Sequence, residues 1–222
     1  MAAFLALAIS LPALGADPDP IAQVLAASPG ATFEGKTVSE DMPILVDGIL
    51  RTSKEGGAKF ELAGTKTVVD LAPDSEVRIF RTPVGSSQQQ IELIRGMARA
   101  RVKPFVKPNG PKGAFTLKTK AATMGVRGTD FLGIANPILN EAEIVVFEGR
   151  VEFASVADPK DLKMIPAGHW GGIGGRFGAK VSELIQLPAE AIRHFERVSN
   201  AAPAFTVKGG KDAKGDSAGS GR

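Results

Sequence analysis

The chain has no cysteine, no tyrosine, one tryptophan and two histidines in its 222 residues. Without thiols there are no disulfides, no thiol catalysis, no cysteine-held zinc or iron–sulfur centre and no lipid-modified cysteine of a lipoprotein. Without tyrosine one acid–base group is gone. The two histidines, His169 and His194, fall short of a transition-metal set. Neither sign of charge dominates, since 27 Lys and Arg against 24 Asp and Glu leave a net charge of +3. That excess does not point to nucleic acid unless it is gathered into a patch. The longest apolar run, Ala2 to Leu14, is shorter than the ~20 residues of a membrane-spanning helix.

Residues 1–16 carry no charge and read as a signal peptide, with the helix breaker Pro12 ahead of the small residues Ala13 and Gly15. Cleavage after Gly15 or Ala16 makes Asp17-Pro18-Asp19-Pro20 the new amino terminus. The usual basic opening is absent, as happens when a start codon is placed too far downstream. An uncleaved anchor and a cytosolic amino-terminal helix are the alternatives. The expectation is export to the periplasm without a stable membrane anchor.

With 43% apolar and 23% charged residues, the rest of the chain has the composition of one soluble domain with its own core. The 26 Gly and 15 Pro suit short strands and turns better than long helices. Alternating runs recur at Lys59 to Leu62, Thr67 to Leu71, Val77 to Arg81, Leu93 to Val102 and Phe115 to Thr119. Period-two alternation sets one strand face on a core and the other in water. Turn signals separate the runs at Val46-Asp47-Gly48, Glu55-Gly56-Gly57, Pro73-Asp74-Ser75 and Pro108-Asn109-Gly110-Pro111. Ile144 to Phe147 is apolar on both faces and predicts an interior strand. The fold expected is all-β, with short twisted strands in a rolled sandwich or β-helix-like body.

Near the end the period changes. Leu184, Leu187, Ala191, Ile192, Phe195 and Val198 recur at three- and four-residue steps, and Pro188 stands near a helix start. This predicts one amphipathic helix over residues 184–199, docked on the sheet or offered to a partner. The organisation expected is a signal peptide (1–16), a lead-in that opens on a helix turn or a first strand (17–43), a β domain (44–170), a Gly-rich connector (171–183), the helix, and a disordered tail (200–222).

Two stretches invite a functional reading. In Val126-Arg127-Gly128-Thr129-Asp130-Phe131, Arg127 and Asp130 lie on opposite strand faces unless Gly128 bends the chain. The bend would let Arg127 bond carbonyls or a carboxylate and let Asp130 cap amides; contact with a ligand or partner is the alternative. In Leu93 to Val102 and just beyond, Arg95, Arg99, Arg101 and Lys103 fall on odd positions and predict a cationic stripe along one strand face. Such a stripe suits an acidic glycan, lipopolysaccharide or acidic protein; a solvated face that deters edge pairing is the alternative. The run Gly171-Gly172-Ile173-Gly174-Gly175-Arg176-Phe177-Gly178 lacks the βαβ setting of a phosphate loop and reads as a connector. No nucleophile–base–acid set stands out, so neither catalysis nor a cofactor is expected.

The order of these elements resembles the FecR domain, the periplasmic module of ferric-citrate regulator proteins. The resemblance rests on the Arg127 to Phe131 core, Glu148-Gly149-Arg150-Val151 after it, Leu93 to Val102 before it, and Ile165-Pro166-Ala167-Gly168-His169 beyond, and covers residues 45–170. It implies a β-rich domain in the periplasm that works by contact with another envelope protein. In the family that contact relays transporter occupancy to a cytoplasmic sigma factor through a membrane helix and an anti-sigma domain. The sequence has no segment that resembles those two parts, so the expectation is a standalone, secreted FecR-domain protein. An envelope polymer, peptidoglycan or lipopolysaccharide, bound through the cationic stripe is the alternative. The surfaces expected to make contact are the edge at Arg127 to Phe131, the stripe, and the helix near Ile192 and Phe195.

Overall fold

The computed structural model describes residues 19–83, 88–104 and 114–200. The expected signal peptide, and the tail beyond Asn200, lie outside the described residues. In chain order the first strands are β1 (Ala22–Ala27), β2 (Thr32–Phe33), β3 (Lys36–Thr37), β4 (Pro43–Ile44), β5 (Gly48–Arg51), β6 (Ala58–Leu62), β7 (Thr67–Leu71), β8 (Glu76–Ile79) and β9 (Gln88–Val102). They are followed by β10 (Ala114–Lys118), β11 (Ala122–Val126), β12 (Thr129–Asn136), β13 (Glu141–Glu148), β14 (Arg150–Ser155), β15 (Leu162–Pro166), β16 (His169–Ile173) and β17 (Ile185–Gln186). One helix, α1 (Ala189–Ser199), closes the described chain.

All of these strands join one hydrogen-bonded sheet that folds over on β9 into two layers. The first layer runs β4-β1-β6-β7-β9-β12-β13-β16-β17. The second runs β3-β2-β5-β8-β9-β10-β11-β14-β15, antiparallel except where β10 lies parallel to β9. The result is an open, mixed β-sandwich and not a closed barrel. Phe115 of the second layer meets Phe131 of the first at 6.4 Å between ring centres, and both are fully buried. Gly133 leaves room for Leu117 and Met124 from the facing layer; a Cβ there would lie 3.0 Å from each.

Strand β9 makes the fold over. Its first half pairs with β8 and β10 in one layer, its second half with β7 and β12 in the other. A bulge opposite Glu76 and Val77 shifts the register, so the inward residues change from Gln89, Ile91 and Leu93 to Ala98, Ala100 and Val102. Gly96 follows the bulge at φ +86°, and a Cβ on it would sit 2.7 Å from the Ser75 Cα. Glycine is needed here for the backbone angle and for the space.

The alternating runs become β6, β7, β8, β9 and β10, and Ile144 to Phe147 lies inside β13, between β12 and β16. The boundaries differ from the expected ones in three places. Strand pairing begins at Ala22, so most of the lead-in belongs to the sandwich. Gly171 and Gly172 belong to β16 and not to a connector; Gly171 is small because a Cβ would approach Ile165 Cδ1 to 2.7 Å. The helix starts at Ala189 and not at 184, because Ile185 and Gln186 pair with β16 and Pro188 keeps an extended ψ of 152°. Among the described residues no helix is long and apolar enough to cross a membrane.

Candidate interaction surface

The outer face of the first layer carries a charge network centred on Arg99. Its Nε donates to Asp130 Oδ1 at 2.8 Å and its Nη2 to Asp130 Oδ2 at 2.7 Å, a parallel fork. Its Nη1 donates to Asn200 Oδ1 at 3.1 Å and to Ser199 Oγ at 3.4 Å, both at the end of α1. The guanidinium lies 4.3 Å above the Phe147 ring. Burial lowers the pKa of Arg99, yet its bonds to Asp130, with the charges of Asp130, Glu196 and Asp70, raise it above its ordinary value on balance. Arg101 bonds Asp70 and Asn200, and Lys59 Nζ lies 3.2 Å from the buried Asp70. The helix is therefore tied to the sheet through its carboxy-terminal end, by two arginines of β9.

The expected cationic stripe is thus spread over two layers and largely matched in charge. Arg95 sits at the bulge and donates to Asp74 Oδ1 at 2.7 Å and Glu76 Oε1 at 3.0 Å, contacts that raise its pKa. Arg99 and Arg101 belong to the other layer, and Lys103 is exposed beyond them. The register shift at the bulge, which parity counting along the strand does not see, separates Arg95 from the rest.

Arg127 and Asp130 also part company. Asp130 takes the Arg99 fork, while Arg127 is exposed and makes no hydrogen bond or ion pair with a described residue. The bend at Gly128, φ +73°, packs against a second bend at Gly149, φ +80°. A Cβ on Gly149 would lie 2.8 Å from Thr129 Cγ2 and 3.0 Å from the Gly128 carbonyl oxygen. Val126 and Phe131 flank the bend as buried core residues. The two motifs of the sequence, Arg127-Gly128-Thr129-Asp130 and Glu148-Gly149-Arg150, are therefore touching turns at one end of the sandwich.

Beside these turns opens a cleft of ≈ 540 Å³. Arg127, Arg150 and Glu152 supply its charge; Phe115, Val126 and Met164 supply apolar wall. Met164 is 51% exposed. The register Gly125 to Glu152 and Val126 to Val151, carried one step further, sets Arg127 opposite Arg150. In the sequence Arg150 stands only as a member of the Glu148-Gly149-Arg150-Val151 motif, with no sign of a role in contact; the signal that places it at the cleft is the antiparallel pairing of β11 with β14.

The Gly-rich run is fixed in place. Glu141 Oε1 accepts from the Arg176 backbone N–H at 2.8 Å, and the Arg176 side chain reaches Glu143 Oε1 at 3.2 Å. A Cβ on Gly174 would overlap the Asn140 carbonyl oxygen at 1.8 Å, so the turn exists only with glycine. His169 Nδ1 lies 3.0 Å from the Ala167 carbonyl, and among the described residues no group of acidic or His side chains is placed to hold a metal.

A two-layer sandwich with paired glycine turns and an open cleft beside them defines the class of this β-domain. Residues 49–152 match the family model described as FecR protein, from β5 into β14. Those residues, a little under half of the chain, carry a FecR domain. Two solved structures of a candidate anti-sigma factor from Parabacteroides distasonis share the fold. One has a TM-score of 0.54 at 16% identity over 68% of this chain and 65% of that one. The other has 0.53 at 16% identity over 67% and 64%. The chain thus spans somewhat less than two thirds of those relatives' length. No curated protein matches the chain.

Proposed function

We propose that this protein is a non-enzymatic, periplasmic module of the cell envelope that signals or regulates by docking another envelope protein. The observation that carries it is the FecR match over residues 49–152, whose two motif turns meet at one cleft with their arginines turned outward. The other charged clusters of the sandwich are paired within it and hold strands and helix together. The fold shared with a candidate anti-sigma factor supports protein contact as its use. The test is a photo-crosslinking residue placed at Glu148 or Glu152, read in intact cells after fractionation. The expected result is the chain in the periplasmic fraction with one discrete adduct to an envelope protein. Recovery from the cytosol, or turnover of a metabolite by the purified chain, overturns the proposal.

A further inference from the structure

Nine arginines lie between Arg51 and Arg176, and seven are bonded inside the domain: Arg51, Arg78, Arg81, Arg95, Arg99, Arg101 and Arg176. The two left over, Arg127 and Arg150, are exposed, and their side chains make no hydrogen bond or ion pair with a described residue. They are also the two that fall opposite each other when the β11–β14 register is carried one step past its last pair, Val126 and Val151. Like charges directly across an antiparallel pair destabilise the strands that carry them. Six of the seven other arginines face an acid, and Arg81 bonds the Asp19 and Leu45 carbonyls; here the fold leaves two together at the mouth of one cleft.

The turns that carry them are rigid. Gly149 abuts Thr129 and the Gly128 carbonyl, and a Cβ on Gly128 would lie 2.7 Å from Pro104 Cγ. Both side chains therefore project from turns whose backbone is already fixed, so an incoming anion has the side chains to order but not the turns. Next to them the cleft wall turns apolar at Phe115, Val126 and Met164, and Gly125 keeps its floor open, with no atom closer than 3.9 Å to the Cβ it lacks.

We infer that this cleft binds an extended segment of a partner protein through an Asp or Glu side chain held by Arg127 and Arg150, with a neighbouring apolar side chain against Met164. Planar guanidinium groups match a carboxylate in two-point geometry. The apolar wall beside the cations favours a peptide over a polysaccharide, whose hydroxyls would go unmatched there. Glu152, the third charge of the cleft, disfavours a segment with a second carboxylate at its position and so limits which acidic sequences fit. This inference rests on the docking role proposed above and names its contact surface.

The test uses the full chain on an array of random twelve-residue peptides with graded carboxylate content. The expected result is retention on peptides that combine Asp or Glu with adjacent apolar residues, weakened by added salt. Binding should fall roughly tenfold for Arg127→Ala or Arg150→Ala and further for the pair. Arg127→Lys, which keeps the charge and loses the fork, should recover part of it. A blank array, retention that ignores carboxylate content, or wild-type binding by the double variant overturns the inference. So does arginine-dependent retention of purified peptidoglycan or lipopolysaccharide without peptide binding. Failure here with an intact crosslinked adduct in cells removes the cleft and leaves the docking role; loss of the adduct removes that role itself.

Discussion

Arg99 and Asp130 lie on neighbouring strands of the first layer and close on each other through two parallel bonds of 2.8 and 2.7 Å, with the arginine side chain only 6% exposed. The aspartate of the most recognisable motif in the chain therefore serves an arginine 31 residues upstream and not the arginine beside it. Removing either partner leaves a largely desolvated charge behind. Asp130→Ala should cost about 3 kcal/mol in denaturant unfolding, and the double change Arg99→Met, Asp130→Leu should recover part of the loss. Equal stability of Asp130→Ala and wild type would show that the fork is not structural.

Arg127→Ala is expected to behave in the opposite way. With no bond to lose and a like charge opposite, it and Arg150→Ala should melt at the wild-type temperature or slightly above it. A fall of several degrees in either variant, measured by circular dichroism, would contradict the arrangement of the two turns.

Gly96 is the position on which the two layers depend. Gly96→Ala must place a Cβ 2.7 Å from the Ser75 Cα at a φ that L residues disfavour. A loss of about 3 kcal/mol is expected from the combined strain and crowding. Ile94→Ala, in the bulge but without positive φ, offers a control whose loss should reflect packing alone.

The helix hangs on its last residues. Chain termination after Pro188 removes Ser199 and Asn200 from Arg99 and Arg101, and should cost about 1–3 kcal/mol while the strand signal in far-ultraviolet circular dichroism persists. Asn200→Ala should reproduce part of that loss and speed amide exchange along α1. Collapse of the strand signal on truncation would mean that the helix is part of the sandwich core.

What the residues determined on their own was local. Period-two alternation made β6, β7, β8 and β10 legible, because each strand's inward and outward faces are written every second residue. The all-apolar Ile144 to Phe147 likewise announced an interior strand, and the change of period announced a helix. Gly128 signalled a bend, which the chain makes at φ +73°. The partners of those residues were a matter for the tertiary structure. Whether Arg95 shares a face with Arg99 depends on a bulge whose register is set by β8. The helix start depends on Ile185 and Gln186 finding β16. Arg127 comes to the same cleft as Arg150 only because β11 lies beside β14. A residue's face follows from its neighbours in the chain, but its counter-charge follows from which strands pair, and that is decided by the closing of two layers around one core.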